Sequence, residues 1–298
     1  MIRNPTSPAL FNLQPALSAI GRLSLAGVCM LVCVFSAAAQ EKKVDLQEIL
    51  TKHLESIGNA KARGSLKSLF ASGTARYVSR LGSSGNLEGT IGLVSRNPKM
   101  RYSIKFPTVQ YPGEQLAFDR KNLDTGVLQG GRFSDLCLFM RQQDLPLKEG
   151  LLGGVLSTAW PLLKEPITAR LEYKGTRKID GKTLHMVGYK PQKGSPDLKV
   201  TLYFDPETFR HIRTEYEFQI GARMGVGPNQ STKIPESRYL LTEEFEDFRA
   251  VDGLMEPYKY KIQLSIQASM ANTIVDWSIS FNQIVLNQPV EDNVFTLK

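Results

Sequence analysis

The chain has 298 residues, with 37 Lys and Arg against 29 Asp and Glu, giving a formal net charge of +8. That length fits one large β domain or two small ones, and no dense basic run with interleaved aromatics is present, which argues against a nucleic-acid partner. Of the three cysteines, Cys29 and Cys33 fall in an N-terminal segment expected to be removed, so Cys137 has no partner and the fold must be held by its core rather than by disulfides.

Arg3 and Arg22 are the only charges before Glu41, residues 23–39 are apolar, and Ala37-Ala38-Ala39 ends the run at A-x-A spacing. This predicts a signal peptide over residues 1–39, cleaved after Ala39, and a periplasmic mature chain of residues 40–298. The 17-residue apolar run is at the bottom of the spanning range, which favours cleavage over a retained anchor. Val28 and Val32 precede the two cysteines where a small residue would mark lipid attachment. Losing the two arginines leaves a charge of +6 (8 − 2), suited to mild attraction to anionic lipid surfaces.

Residues 44–57 read as a helix, with Leu46, Ile49, Leu50, Leu54 and Ile57 in one stripe, Asp45 as cap and Gly58 as stop. His53 within it reads as a filler. Strands follow over 66–80, 87–96 and 100–106, the last with Met100, Tyr102, Ile104 and Phe106 on one side. Two shorter strands are expected at 115–119 and 126–128. The texture then changes. Ser134 caps a helix to about Gln143, and residues 151–163 (LLGGVLSTAWPLL) place Leu152, Leu156 and Trp160 on one helical side, with Gly153, Gly154 and Pro161 weakening it. Residues 133–163 are expected to form a helical lid inserted between two β runs.

The second β run starts near Ala169. Hairpin turns are expected at 179–182 and 205–208, and a long loop at 221–237. The acidic cluster Glu243, Glu244, Glu246 and Asp247 reads as a solvated edge or outer face. In residues 258–268, Tyr260, Ile262 and Leu264 alternate with Lys261, Gln263 and Ser265; the last strand places Val275, Trp277, Ile279 and Phe281 on one side. The expected fold class is mainly β with a few helices: a strongly curved antiparallel sheet, or unclosed β-barrel, of about eleven strands.

The motifs of common chemistries are absent. Gly181-Lys182-Thr183 lacks the upstream glycine of a phosphate loop, since Thr176 stands there, and a hairpin follows it. Gly225-Val226-Gly227 lacks the third glycine of a dinucleotide site. His53, His185 and His211 have no metal-ligand spacing, and Cys137 in an apolar helix reads as an inert thiol. No catalytic residue, metal or cofactor is expected, and the chain reads as no enzyme.

Strands apolar on one side must stack, be covered or curl around an interior, and a dozen strands rarely stay flat. The expected interior is a concave face only partly plugged by helices, a hollow suited to an acyl chain. Three stretches carry a resemblance: HLESIG at the end of the first helix, VDGLMEPYKYKI at 251–262 and VLNQPVEDNVF at 285–295. With the order of elements, they resemble the outer-membrane lipoprotein carrier fold shared by LolA-type chaperones and LolB-type receptors. The resemblance implies an unclosed barrel with a helical lid, an apolar cavity for lipid or lipoprotein acyl chains, and no enzymatic activity. This chain is longer than the family's pattern and carries the 221–237 loop; the arginine of the classical carriers has no aligned counterpart, so no functional residue is transferred. The expected contact residues are Met100, Tyr102, Ile104, Phe106, Tyr260, Ile262, Leu264, Trp277, Ile279 and Phe281, with Leu152, Leu156 and Trp160 as lid. A monomer is expected. The alternative is an envelope sensor or assembly module of the same fold that binds a protein or peptide partner.

Overall fold

The computed structural model describes residues 45–297 apart from 81–84, 129, 193–196, 222–235 and 269–271. The expected signal segment, most of the 221–237 loop and the tip of the turn at 82–85 lie outside the described residues.

Twelve strands are described: β1 Leu69–Ser79, β2 Asn86–Arg96, β3 Lys99–Lys105, β4 Gly113–Phe118, β5 Leu123–Thr125, β6 Arg170–Ile179, β7 Lys182–Lys190, β8 Leu198–Phe204, β9 His211–Ile220, β10 Ser237–Val251, β11 Leu254–Ala268 and β12 Asn272–Leu286. They form one antiparallel sheet in the order β5-β4-β3-β2-β1-β12-β11-β10-β9-β8-β7-β6. The chain lays down one edge, crosses to the other, and zips back until β12 pairs with β1. The two edges, β5 and β6, do not meet. Residues 126–169 therefore have to travel from one edge to the other, and they do so over the apolar face.

The curvature follows from one pair of side chains. Tyr102 on β3 and Tyr260 on β11 lie four strands apart, roughly 19 Å on a flat sheet, a gap that two tyrosine side chains cannot close. Their hydroxyls are 3.3 Å apart. The sheet is bent until its third and seventh strands in the row of twelve nearly touch, side chain to side chain, across the hollow side.

The first helix is where its stripe predicts. α1, Leu46–Ile57, is capped by Asp45, whose carboxylate accepts the Gln47 N–H at 3.2 Å, and it buries Ile49, Leu50, Leu54 and Ile57. It packs on β11. α2, Ala60–Ser65, follows at once, capped by Asn59. The crossing segment carries α3, Asp135–Gln142, capped by Ser134, then α4, Leu145–Lys148, and a single 3₁₀ turn, Gly154–Leu156.

Two expectations need correction. Residues 151–163 are not a helix but a chain of tight turns. Gly153 (φ 83°) and Gly154 (φ 53°) are both left-handed, and the backbone N–H of Gly153 donates out of the segment, to Glu243 on the sheet. The 126–128 strand is displaced: the edge strand is β5, and residue 126 only donates back to the Gln115 carbonyl.

Candidate functional site

The concave face is lined by the inward residues of the strands. Met100, Tyr102, Ile104 and Phe106 come from the β3 stretch, Tyr260, Ile262 and Leu264 from β11, and Trp277, Ile279 and Phe281 from β12; all are at most 5% exposed and belong to one apolar cluster. Leu152, Leu156 and Trp160 of the crossing segment are equally buried in that cluster. The structure divides the ten lining residues. Tyr102, Ile104 and Ile262 meet Leu152, Leu136 and Met140 at the middle of the face. Trp277 and Phe106 join Tyr77 and Tyr111 in an aromatic group, with the Trp277 Nε1–H donating to the Tyr111 hydroxyl at 2.8 Å.

The expected open hollow is not there. Beneath the crossing segment the free space is about 10 Å³, no more than one water occupies. Residues 151, 152, 155, 156, 160, 162 and 163 fill the place where an acyl chain would lie. A larger groove of about 710 Å³ runs along the β6–β9 strands. Its charges are paired among themselves: Lys174 with Glu172 at 2.7 Å, Arg177 with Glu215 at 3.3 Å and Lys199 with Glu217 at 3.7 Å.

Among its described residues the crossing segment makes no ladder with the sheet, and apart from the Gly126 N–H it is attached through individual side chains. The main one is Glu243. It lies on β10 between Leu241 and Phe245, so strand parity turns it inward, and it is fully buried rather than on the expected solvated face. Its carboxyl accepts the Gly153 N–H at 2.7 Å, the Tyr216 hydroxyl at 2.7 Å and the Tyr260 hydroxyl. Burial raises it to about 7, against those three hydrogen bonds, which pull the other way.

Glu114 on β4 repeats the theme. It accepts from the hydroxyls of Tyr111 and Ser134, and the Cys137 thiol lies 3.3 Å from it. Burial raises this carboxyl, too, to about 7. Burial first, then the neighbouring Glu114, pushes the Cys137 thiol up to about 12, so it is no nucleophile at neutral pH.

The remaining attachments are spread along the segment. Ser95 accepts the Thr158 N–H at 2.9 Å, and the Thr158 hydroxyl accepts the Asn97 N–H at 2.7 Å. Arg63 donates to the Leu163 carbonyl at 3.1 Å. Trp160 donates to His53 Nε2 at 3.2 Å, while His53 Nδ1 lies 3.1 Å from the Phe209 carbonyl. Those two partners fix His53 as the neutral Nδ1–H tautomer, and burial lowers it to about 4. His211, stacked on Trp160 with ring centroids 4.6 Å apart, is also buried, and its Nδ1 is left without a hydrogen-bond partner.

The sequence reading missed Glu243, Glu114, Tyr216 and His211. Alternation was the available signal: Glu243 and Glu114 fall at inward positions of strands whose other inward residues are apolar. Among the described residues no group of three His, Cys, Asp or Glu is placed to hold a metal ion, and no helix is long and apolar enough to cross a membrane.

No protein-family model matches the chain, and no curated protein sequence matches it either. Solved structures of similar fold include a LolA superfamily protein from Nitrosomonas europaea, at 16% identity and a TM-score of 0.43, covering 85% of this chain and 98% of that one. An outer membrane lipoprotein-sorting protein domain from Vibrio parahaemolyticus matches at 10% identity and 0.40, over 83% and 97% of the two chains. A DUF1329 family protein from Desulfovibrio piger matches at 8% and 0.36, over 84% and 96%. Each likeness lies in the course of the chain.

Proposed function

We propose that the protein is a non-enzymatic carrier of lipid or lipoprotein acyl chains, acting in the periplasm after loss of residues 1–39, as a monomeric single domain of residues 40–298 whose lid is the 133–163 insertion. The observation that carries this reading is the nature of the cover. The apolar face of a bent, unclosed sheet is filled by a segment that is itself apolar, unladdered, and built on glycine turns. An acyl chain offers the same face an equivalent filling, at about 0.8 kcal/mol per buried CH₂. The state described above is the closed, unloaded one. On loading, residues 151–163 lift from Met100, Tyr102, Ile104, Tyr260 and Ile262 and lie over the chain, so that Leu152, Leu156 and Trp160 stay out of water.

The test is native mass spectrometry with lipid extraction of the protein purified from a cell envelope, alongside hydrogen exchange with and without a C16 fatty-acid probe. The expected result is a co-purifying lipid, or saturable probe binding that alters exchange in residues 133–163 and leaves β1 and β12 unchanged. A lipid-free protein that ignores the probe and captures an envelope protein instead would overturn the reading in favour of a partner-binding module.

A further inference from the structure

The turn Gly153–Gly154 sits in a slot that no side chain fits. A Cβ at Gly153 would fall 2.6 Å from the Tyr102 hydroxyl and 3.0 Å from Met100 Cε; one at Gly154 would fall 2.9 Å from His211 Nδ1 and 3.0 Å from Phe245 Cζ. The slot thus holds a bare amide, flat and unbranched. Its floor is polar in an otherwise apolar face. Glu243 Oε2 is taken by Tyr216, and Oε1 is shared by Tyr260 and the Gly153 N–H. Tyr102 adds a hydroxyl 3.3 Å from that of Tyr260. His211, 1% exposed, bonds Thr214 at 2.8 Å through Nε2 and leaves Nδ1 bare against Gly154.

When the segment lifts, the slot loses its one backbone donor. Glu243 Oε1 is then short of a hydrogen bond at the bottom of a greasy face, and an unfilled acceptor there is costly. We infer that this slot is the head-group site of the carrier: it takes an amphiphile whose acyl chain lies along the apolar face and whose head is small, unbranched and a hydrogen-bond donor, a primary amide or a hydroxyl, in place of the Gly153 N–H. A carboxylate head is disfavoured because it would bring a second acceptor-only group against Glu243. A branched or bulky head is disfavoured for the reason that Gly153 cannot be alanine.

The inference rests on the carrier reading, and the experiment separates the two. The mature chain is loaded with the neutral fluorescent probe N-phenyl-1-naphthylamine and titrated at pH 8 with decanamide, 1-decanol and decanoate, which share one chain length. The amide and the alcohol are expected to displace the probe at about tenfold lower concentration than decanoate, the discrimination that a single well-placed buried polar group gives. In Glu243→Gln, decanoate is expected to gain until the three heads lie within about threefold of one another; a gain of binding is not what a misfolded variant shows. If that variant does not fold, the head series on the unaltered chain still decides. Failure of every ligand to displace or bind overturns the carrier reading itself. Equal displacement by all three heads, a preference for decanoate, or a preference untouched by Glu243→Gln overturns the slot and leaves the carrier reading standing.

Discussion

The centre of the sheet and the segment that covers it are buried to the same degree but attached in different ways. From Leu69 to Ser79, β1 is in register with β12 on one side, and from Leu69 to Val78 with β2 on the other, with one bulge in the β12 ladder. Among the described residues, 126–169 have no such ladder beyond the Gly126 N–H on the Gln115 carbonyl, and are held at separate points, including Glu243, Glu114, Ser95, His53, Arg63 and the Glu149 carboxylate that accepts from Tyr189. Percentage exposure cannot tell these regions apart; Trp277 at 1% and Trp160 at 3% look alike. Hydrogen-bond connectivity can. A ladder opens only with its neighbours, whereas a segment on separate attachments opens alone, at a fraction of the global cost.

The sharpest way to break that comparison is to truncate both tryptophans. Trp277→Ala is expected to lower global stability by about 3–5 kcal/mol, the usual cost of an aromatic cavity in a core, read as a shift of the urea midpoint. Trp160→Ala removes as large a ring but is expected to leave most of the global transition in place and to speed hydrogen exchange chiefly within 126–169. Equal losses of global stability would mean that cover and sheet are one cooperative unit.

The second largest effect expected is with pH. Glu243 and Glu114 stand at about 7 in the folded chain against 4.5 for a free carboxyl, because burial favours the protonated form. Stability from a group raised in this way is full below pH 4.5 and lost as pH rises through about 7. His53 works the other way, since it is held at about 4 against 6.5; its share is full above 6.5 and lost as pH falls through about 4. The groups facing Glu243 are Tyr216, Tyr260 and Tyr102, all raised by burial and neutral throughout, and those facing Glu114 are Tyr111, Ser134, Cys137 and, through space, Asp135. The clean measurement is therefore a difference. Between pH 4.5 and 7 the unaltered chain should lose stability relative to Glu243→Gln by an amount on the order of a few kcal/mol. A flat difference would show that Glu243 is solvated in the closed state.

Next comes Gly153→Ala. The left-handed φ and the approach to Tyr102 together are expected to cost about 1–3 kcal/mol. That cost should fall on the closed cover, so the variant should bind an acyl probe no more weakly than the unaltered chain while its 126–169 amides exchange faster. Weaker binding with unchanged exchange would place Gly153 in a loaded state rather than in the unloaded one.

Much of this was legible in the sequence where one rule decided the local structure. Alternation over Met100–Phe106, Tyr260–Leu264 and Val275–Phe281 correctly placed the inward side of three strands, because a half-buried strand with short turns has no other solution. The legibility failed where two signals conflicted. In 151–163 the apolar spacing suggested a helix, yet Gly153 and Gly154 were free to turn left-handed, and a sheet acceptor was waiting for the N–H that a helix would have used internally. At Glu243, charge argued for solvent and parity for the interior; parity won because Tyr216, Tyr260 and Gly153 supply three donors from three separate stretches of chain. No local pattern announces a partner set of that kind. The degree of filling was equally out of reach, since it depends on how tightly the sheet bends, which is a property of the Tyr102–Tyr260 approach across four strands and not of any one of them.

The smallest expected effect is at Ser95, and it tests whether the attachments are independent. Ser95 is fully buried on β2, and its hydroxyl accepts the Thr158 N–H at 2.9 Å and lies 3.0 Å from the Thr158 hydroxyl. In Ser95→Ala the Thr158 N–H is stranded without water, while the Thr158 hydroxyl still accepts from Asn97. One orphaned buried donor costs about 1–3 kcal/mol at most, and less where the segment can shift to wet it. Exchange in 126–169 should rise by about tenfold, while β1 and β12 should not respond, because their ladders do not pass through Ser95's side chain. If Ser95→Ala and Gly153→Ala combined raise the opening of the segment by the product of their separate factors, the attachments act one by one, as sites this far from sharing a partner should. If the pair does no more than either alone, the segment is released as a single hinged body once any one attachment is lost.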